Sequence, residues 1–345
     1  MSQNNQVILS TRVRVSRNLT GYKFNSVSTN IEKKEILNLV KSIFFDNNKN
    51  SDFEFYNISR LSKIQRQFFL ERHILSPEMT YKLNFKGLIL KKSKKSLDEV
   101  LSILINEEDH LKIQSIVAGL DIEKAYKNVV VMEKLLERRL KFAYDKDFGY
   151  LTSSPVNLGT ALRISIAVHI PAIIISGKVE EFIKKLNKIG CMVKGFLGEN
   201  SEVIGNILLV ANQMSLGKYE KQFIEEMNAI CLNIIDEEKE ALEELKKDIP
   251  LIVEDSVMRS YGILTNARLL SYYEAIDFIS MINLGIDLGL IKDVKPFNLY
   301  NLINILGDSN LIINFKLKLE PDSDELDKVR MDVVREKLAI KKLKK

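Results

Sequence analysis

Residues 100–112 read VLSILINEEDHLK, an apolar run followed by an asparagine, three acids, a histidine, a leucine and a lysine. The apolar part, Val100 to Ile105, has the length and composition of a buried strand. Its burial carries the ionisable groups that follow to the edge of a core, where uncompensated charge is costly. The sequence therefore predicts that cations from other parts of the chain lie beside these acids.

Two segments are placed to supply those cations, STRVR at residues 10–14 and GTALR at residues 159–163. Residues 7–15 alternate strictly, which predicts a strand with Arg12 and Arg14 on one face, about 7 Å apart. Thr160 is predicted to be the N-cap of a helix that runs toward Ile170, with Arg163 in its first turn beside free backbone N–H groups that bind anions. Acids that handle a proton, together with cations that hold phosphate, indicate phosphoryl transfer.

The composition restricts the class of protein. A length of 345 residues with 46% hydrophobic residues predicts two domains with ample core. The 51 cations and 46 acids form a mixed surface, so direct nucleic-acid binding is not implied. Cys191 and Cys231 lie outside metal or disulfide motifs, which favours a reducing cytoplasm. The longest apolar stretch, residues 164–175, is too short to span a bilayer, and the polar residues 1–6 are not expected to form a signal peptide.

The remaining periodicity outlines the other elements. Further strands are predicted over residues 82–90, 99–105 and 206–211, and another from residue 193 into a glycine-containing loop that ends near residue 202. Helices are predicted over residues 30–45, 59–72, 121–144, 218–247, 256–264, 271–284 and 324–342. The break at Ile249-Pro250 predicts a boundary between a catalytic domain, residues 1–248, and a helical C-terminal domain, residues 249–345.

Familiar nucleotide-binding motifs are absent from the sequence: it has no GxxxxGK[ST], no GxGxxG and no HRD or DFG set. If the chain uses ATP, scattered cations must hold the phosphates, with Mg²⁺ bridging phosphate oxygens.

Three blocks, at residues 10–14, 106–111 and 155–163, resemble in order and spacing the phosphagen (guanidino) kinases, which are ATP:guanido phosphotransferases. The runs RSYGILTNAR at residues 259–268 and LGIDLG at residues 284–289 resemble the bacterial protein-arginine kinases of that family. The resemblance implies an α/β fold, with an antiparallel sheet flanked by helices and then a mostly helical domain. It also implies ATP and Mg²⁺ as cofactors, and transfer of the γ-phosphoryl group to arginine side chains of proteins.

The resemblance further implies the roles of individual residues. Glu108 would be the catalytic carboxylate, and Glu199 a second one that grips the guanidinium. A guanidinium is protonated and therefore a poor nucleophile, so two carboxylates that clamp it and accept its proton meet a chemical need. No metal ligands are implied. The implied nucleotide-binding residues are Ser10, Thr11, Arg12, Val13, Arg14, His73, Lys112, Ser154, Arg163, Ile164, Ser165, Ile166, Ala167, Lys194, Gly195, Phe196, Leu197 and Gly198.

The chain departs from the family at three of these positions. Lys112 and Lys194 stand where the family has arginine, and Ser154 stands where most members have a reactive cysteine. Lysine keeps the charge but loses the planar fork, at about 1.5–3 kcal/mol for each lost charge-assisted hydrogen bond. Near the C-terminus, Asp332 and Arg335 remain from a phosphoarginine-sensing motif, in which Met331 and Glu336 replace an arginine and an alanine.

Three functions therefore stay open: an active protein-arginine kinase, a catalytically weakened relative that acts mainly as a binding partner, and a small-molecule guanidino kinase. The resemblance implies protein substrates that carry arginine, in a cytoplasmic stress response that targets proteins to Clp proteolysis. It also implies a homodimer, and as partners a zinc-binding activator, a heat-shock repressor and a Clp ATPase.

Overall fold

The computed structural model describes residues 7–45, 52–92, 99–196 and 203–339. Strands β1 to β10 span, in chain order, Ile8–Arg17, Phe53–Asn57, Gly87–Lys91, Glu99–Ile105, Leu111–Ala118, Tyr144–Asp145, Gly149–Tyr150, Leu162–His169, Cys191–Gly195 and Ile207–Asn212. Helices α1 to α11 span Asn30–Phe45, Lys63–Glu71, Ile122–Glu137, Pro171–Ile175, Val179–Lys188, Glu220–Lys247, Leu251–Asn266, Tyr272–Asp287, Leu299–Leu306, Asp308–Asn314 and Asp324–Leu338.

The chain divides into two compact units. The N-terminal unit comprises the described parts of Ser10–Ser165 and Ala211–Ala229. The C-terminal unit comprises the described parts of Met1–Leu9, Ile166–Val210 and Ile230–Lys345.

The large sheet has the strand order β2-β3-β4-β5-β1-β8-β10-β9, and β6 with β7 forms a separate hairpin. The pairs β2–β3, β3–β4, β4–β5 and β5–β1 are antiparallel. With the helices that flank it and the helical C-terminal region, this sheet confirms the predicted fold class.

The register of β1 against β5 decides which side chains share a face of the sheet. Arg12 lies opposite Ile116, Arg14 opposite Gln114, and Ser16 opposite Lys112. Because directly opposed residues point to the same face, Lys112 and both arginines lie on one face. On the opposite face, α3 packs against β5 with its apolar stripe, and the stripe residues Val129, Met132 and Leu136 are buried.

Two elements agree with the prediction residue for residue, the helix at residues 30–45 and the strand at residues 99–105. The helix predicted at 59–72 is shorter, since Ser62 is its N-cap with a reciprocal bond to Gln65. The helical break at Pro250 is also found, because this proline is the N-cap of α7. The domain boundary at residues 248 and 249 stays a prediction.

The prediction of a helix from Thr160 toward Ile170 is wrong, because Leu162–His169 is strand β8. Thr160 does make a cap-like contact, with its Oγ1 accepting from the N–H of Leu162 at 3.3 Å. Ala161 then adopts φ +51°, which a right-handed helix does not allow. The alternating branched residues that follow suit a strand buried on both faces. Arg163 therefore projects from a strand and not from the first turn of a helix.

The helix predicted over 121–144 ends earlier, at Glu137. Its last predicted turn instead runs beside the end of β1, where Thr20 N–H donates to Lys141 O at 2.9 Å and Ala143 N–H donates to Asn18 O at 2.7 Å. These bonds fix the backbone at Asn18, a residue that the site below depends on.

Arg17 at the end of β1 ties the sheet to α3. Its Nε donates to Glu133 Oε1 at 2.5 Å, and its guanidinium carbon lies 3.4 Å from the ring centroid of Tyr150. The side chains of Arg17 and Glu133 are only 2% and 12% exposed.

Because Arg17→Met would leave the Glu133 carboxylate buried and unpaired, we expect the free energy of unfolding to fall by about 3–5 kcal/mol. Urea unfolding measures the change. The matched control is Arg259→Met, whose exposed pair with Asp255 should contribute less than about 0.5 kcal/mol. Equal effects of the two substitutions would contradict the role given to Arg17.

The C-terminal unit holds α7 to α11 around an apolar core that includes Ile276, Ile279, Leu302, Leu311 and Val334. Among the described residues, no helix is long and apolar enough to cross a membrane.

Candidate active site

The turn between β4 and β5 begins at Asn106. Its backbone is left-handed, with φ +58°, a conformation that asparagine tolerates better than most residues. Its Nδ2 donates to Lys33 O at 2.8 Å and to Phe85 O at 2.7 Å. Asn106 thus anchors the start of the turn on both sides.

Asp109 and His110 anchor the end of the turn. Asp109 Oδ1 accepts from Asn18 Nδ2 and from Ser153 N–H, both at 2.7 Å. His110 N–H donates to Asn18 Oδ1 at 2.9 Å, and its Nδ1 accepts from Leu19 N–H at 3.0 Å. Both residues are fully buried. Through these hydrogen bonds the two residues hold the turn in place.

Glu107 is buried and ion-paired with Lys112. Its Oε1 accepts from Ser76 Oγ at 2.6 Å, and its Oε2 also accepts from Glu108 N–H at 2.8 Å. Burial opposes ionisation of this carboxyl, yet Lys112, Ser76 and the Glu108 N–H prevail and lower the pKa of Glu107 to about 2. Glu107 is therefore a permanent anion whose oxygens are already engaged.

Glu108 is the exposed member of the turn. Its surroundings raise the pKa of the Glu108 carboxyl, mainly through lost hydration and against the effect of Lys112. The other charges that act on it are Asp109, Glu107 and Glu78, and it acts in turn on Arg14 and Arg163. A reachable carboxylate with a raised pKa is a stronger base than an ordinary glutamate, which suits it to accept a proton.

Arg12, Arg14 and Arg163 form a cluster of like charge on one face of the sheet. Burial, and then the charges of Arg12 and Arg163, lower the pKa of Arg14 well below its ordinary value, while Glu107 and Glu108 oppose the change. Burial also lowers the pKa of Arg163. The Nε of Arg14 is buried without a hydrogen-bond partner in the described part of the chain. A crowded group of three guanidiniums favours a polyanion between them.

His73 lies beside the two arginines of β1. Gln114, opposite Arg14 in the register, donates from Nε2 to Ile74 O at 2.6 Å and so holds the segment that carries His73. Burial and the charges of Arg12 and Arg14 lower the pKa of His73 to about 3. The imidazole is therefore neutral near neutral pH.

The other predicted residues of β1 have structural environments. Thr11 is fully buried, and its Oγ1 donates to Gly119 O at 2.7 Å and accepts from Asp121 N–H at 3.3 Å at the start of α3. Val13 is fully buried, and Ser10 is 8% exposed. Thr11 and Val13 thus lie on the face opposite the arginines, and any nucleotide contact from them stays a prediction.

The loop that holds Ser154 borders the acidic turn. Ser153 Oγ donates to Glu108 O at 3.0 Å, and Thr152 Oγ1 donates to Ser154 O at 2.8 Å. Ser154 itself is half-buried and precedes a short 3₁₀ helix at Pro155–Asn157. Ser154 thus directly follows a residue that contacts the backbone of Glu108.

The rest of the predicted nucleotide site lies further along the chain. Ile164 and Ser165 are buried residues of β8 in the N-terminal unit. Five predicted residues belong to the C-terminal unit: Ile166, Ala167, Lys194, Gly195 and Phe196. Three lie outside the described residues, namely Leu197, Gly198 and Glu199. The role of Glu199 therefore stays a prediction.

No group of three or more histidine, cysteine, aspartate or glutamate side chains that could hold a metal ion is found in the described ranges.

The C-terminal residues Asp332 and Arg335 are on α11. Arg335 is 8% exposed, and its guanidinium donates to Ala267 O and, at 2.8 Å, to Leu264 O. Asp332 is exposed. Arg335 therefore binds the carbonyl end of α7, and a phosphoarginine-sensing role for it stays a prediction.

Sequence reasoning missed Glu107, Gln114 and Asn18 as parts of the site. Gln114 had a readable signal, because it follows Lys112 at strand spacing and falls on the same face. The Asn18 contacts depend on a loop whose path no local pattern gives.

Comparison with known proteins places this geometry in context. The family model of the C-terminal catalytic domain of ATP:guanido phosphotransferases matches residues 35–241. The C-terminal domain of protein-arginine kinase McsB matches residues 250–345. A protein-arginine kinase from Bacillus cereus (strain AH187) is 34% identical over 342 residues, which cover 98% of this chain and 94% of that protein. A protein-arginine kinase from Geobacillus sp. (strain WCH70) is 34% identical over 344 residues, which cover 99% of this chain and 93% of that protein.

Solved structures share the fold. The duplicated taurocyamine kinase from Schistosoma mansoni, with bound transition state analog components, superposes with a TM-score of 0.62 at 24% identity, over 75% of this chain and 38% of that longer chain. Lombricine kinase superposes with a TM-score of 0.59 at 21% identity, over 71% of this chain and 70% of that chain.

Proposed function

Because the chain belongs to the ATP:guanido phosphotransferase family and carries the C-terminal domain of its protein-arginine kinases, we propose that it transfers the γ-phosphoryl group of ATP to arginine side chains of proteins. One observation carries this proposal. Glu108, a reachable carboxylate with a raised pKa, acts electrostatically on Arg14 and Arg163 of a crowded cationic face.

Arg12, Arg14 and Arg163 would hold the phosphates of ATP, which relieves the repulsion among the three guanidiniums. Neutral His73 beside them would offer a hydrogen bond without further positive charge. Mg²⁺ bound to the nucleotide would neutralise part of the phosphate charge.

Glu108 would orient the substrate guanidinium and accept one proton from it. The freed nitrogen lone pair forms a bond to the γ-phosphorus, and the bond from that phosphorus to the bridging oxygen of ADP breaks. The arginine cluster stabilises the charge that spreads over the transferring group, so most of the rate comes from alignment and electrostatics. Glu199 is proposed as the second carboxylate of the clamp.

A second candidate is a weakened relative that acts mainly as a binding partner. The observation in its favour is the internal ion pair of Lys112 with Glu107, because this cation is engaged and not directed at a phosphate. Lys194 and Ser154 are further departures in the same direction. A small-molecule guanidino kinase is the third candidate, and the matched C-terminal domain favours protein substrates over it.

Incubation with ATP, Mg²⁺ and an arginine-rich protein tests these candidates, with acid-labile phosphoarginine detected by mass spectrometry. We expect phosphoarginine on the protein substrate, at a rate far above that on free arginine. No signal above a Glu108→Gln control would reject the active kinase in favour of the binding partner. Equal rates on free and protein arginine would favour the small-molecule kinase.

The wider setting is proposed on the family resemblance alone. It comprises a cytoplasmic stress response, a homodimer, a zinc-binding activator, a heat-shock repressor and delivery of substrates to a Clp ATPase.

A further inference from the structure

We propose that Glu107 and Lys112, tied to Ser76, are positioning residues that fix Glu108 for proton transfer, and that Lys112 acts through Glu107 instead of contacting phosphate. The inference rests on the proposed function. It assigns this chain's lysine a task different from the one that a phosphate-binding arginine would have at the same position.

The direction of the Lys112 side chain is the first argument. Lys112 lies on the arginine-bearing face of the sheet, opposite Ser16 and two residue pairs away from Arg14. Its ammonium nevertheless turns to Glu107, and the two side chains are only 12% and 2% exposed. An ammonium carries its three donors on one nitrogen, whereas a guanidinium presents five in a fork that can serve a carboxylate and a phosphate together.

The use of the Glu107 oxygens is the second argument. Oε1 accepts from Ser76 Oγ at 2.6 Å, and Oε2 accepts from Lys112 Nζ and, at 2.8 Å, from the N–H of Glu108. The carbonyl of Glu107 also accepts from Asn25 Nδ2 at 3.3 Å. The peptide bond between Glu107 and Glu108 is therefore held at its N–H by the Glu107 carboxylate and at its carbonyl by Asn25.

The charge balance is the third argument. Glu107 is one of two anions that favour the charged form of Arg14, against burial and two like charges. If Lys112 is lost, a buried carboxylate remains without its cation. If Glu107 is lost, a buried ammonium is added to a face that already carries three arginines. Either change leaves an unpaired buried charge, which disturbs the whole group of charged side chains and not only one contact.

Single and paired variants test the proposal in the full chain. We expect Glu107→Gln and Lys112→Met each to lower kcat about ten- to a hundredfold, because small displacements of a catalytic group have effects of this size. The KM for ATP should change less than about threefold, since no phosphate contact is removed. The kcat of the double variant should be no lower than that of the slower single variant, because both substitutions break the same ion pair. Lys112→Arg, which keeps the pair, should retain kcat.

The matched control is the exposed pair of Glu99 and Lys124, with side chains 41% and 51% exposed in the same unit. Glu99→Gln and Lys124→Met should leave kcat unchanged within about twofold. If instead Lys112→Met raises the KM for ATP tenfold or more while Glu107→Gln leaves kcat unchanged, Lys112 contacts phosphate and the proposal is overturned.

A second readout does not need activity. The pKa of Glu108, followed by carbon NMR of its carboxyl group, should rise in Lys112→Met and fall in Glu107→Gln, because these neighbours act on it with opposite sign. The other charges that face Glu108 (Asp109, Glu78, Arg14 and Arg163) are the same in both variants. An unshifted Glu108 in both variants would overturn the proposal even if the wild type forms no phosphoarginine, a result that would count separately against the proposed function.

Discussion

Glu108→Gln is expected to lower kcat about 10²- to 10⁴-fold with little effect on the KM for ATP. Glutamine keeps the shape and can still accept a hydrogen bond, but it cannot take a proton from the substrate guanidinium. Because Glu108 is exposed, the thermal unfolding midpoint should stay within a few degrees of the wild-type value. Initial rates of phosphoarginine formation at saturating ATP measure the effect.

The matched control for this substitution is Glu78→Gln. Glu78 is also exposed, and its charge acts on Glu108 without lying in the acidic turn. The same loss of one charge should change kcat less than about threefold, because solvent screens it. If both variants lose activity equally, the general negative potential of the region matters and Glu108 is not the base.

Arg14→Met is expected to abolish activity and at the same time stabilise the fold. Burial of the Arg14 guanidinium, and then the like charges of Arg12 and Arg163, lower the pKa of Arg14. Its removal should therefore raise the free energy of unfolding by about 1 kcal/mol or more. Under the proposed function this guanidinium would stabilise the transferring phosphoryl group, so its loss should lower kcat/KM about 10³-fold or more.

Urea unfolding with and without ATP separates the two effects of Arg14→Met. The wild type should gain stability from ATP by mass action, and the variant should gain much less. An Arg259→Met variant, which removes an exposed arginine, should match the wild type in both measurements. A variant at Arg14 that is destabilised but still active would show that this arginine is structural.

The sequence predicted the directions of side chains best where the signal was local. Alternation along residues 7–15 placed Arg12 and Arg14 on one face, because the side-chain period of a strand does not depend on its neighbours. Strand β8 was missed because an apolar run next to a cap-like threonine also fits a helix, and only pairing with distant strands decides between them.

The ion pair of Glu107 and Lys112 could not be predicted from the sequence, for a different reason. A resemblance assigns a position to a role, but it cannot say which of two nearby partners a substituted side chain will choose. Lys112 can reach a carboxylate or an anion, and the buried neighbour Glu107 decides the outcome.

Strand β1 has one further consequence, because it lies inside the large sheet between β5 and β8 and carries two of the three clustered arginines. Interior strands exchange their amide hydrogens only when the whole structure opens. The amides of Arg12 and Arg14 should therefore be among the slowest to exchange with deuterium. Heat should consequently inactivate the protein at the temperature where it melts, and not earlier through fraying of a peripheral loop.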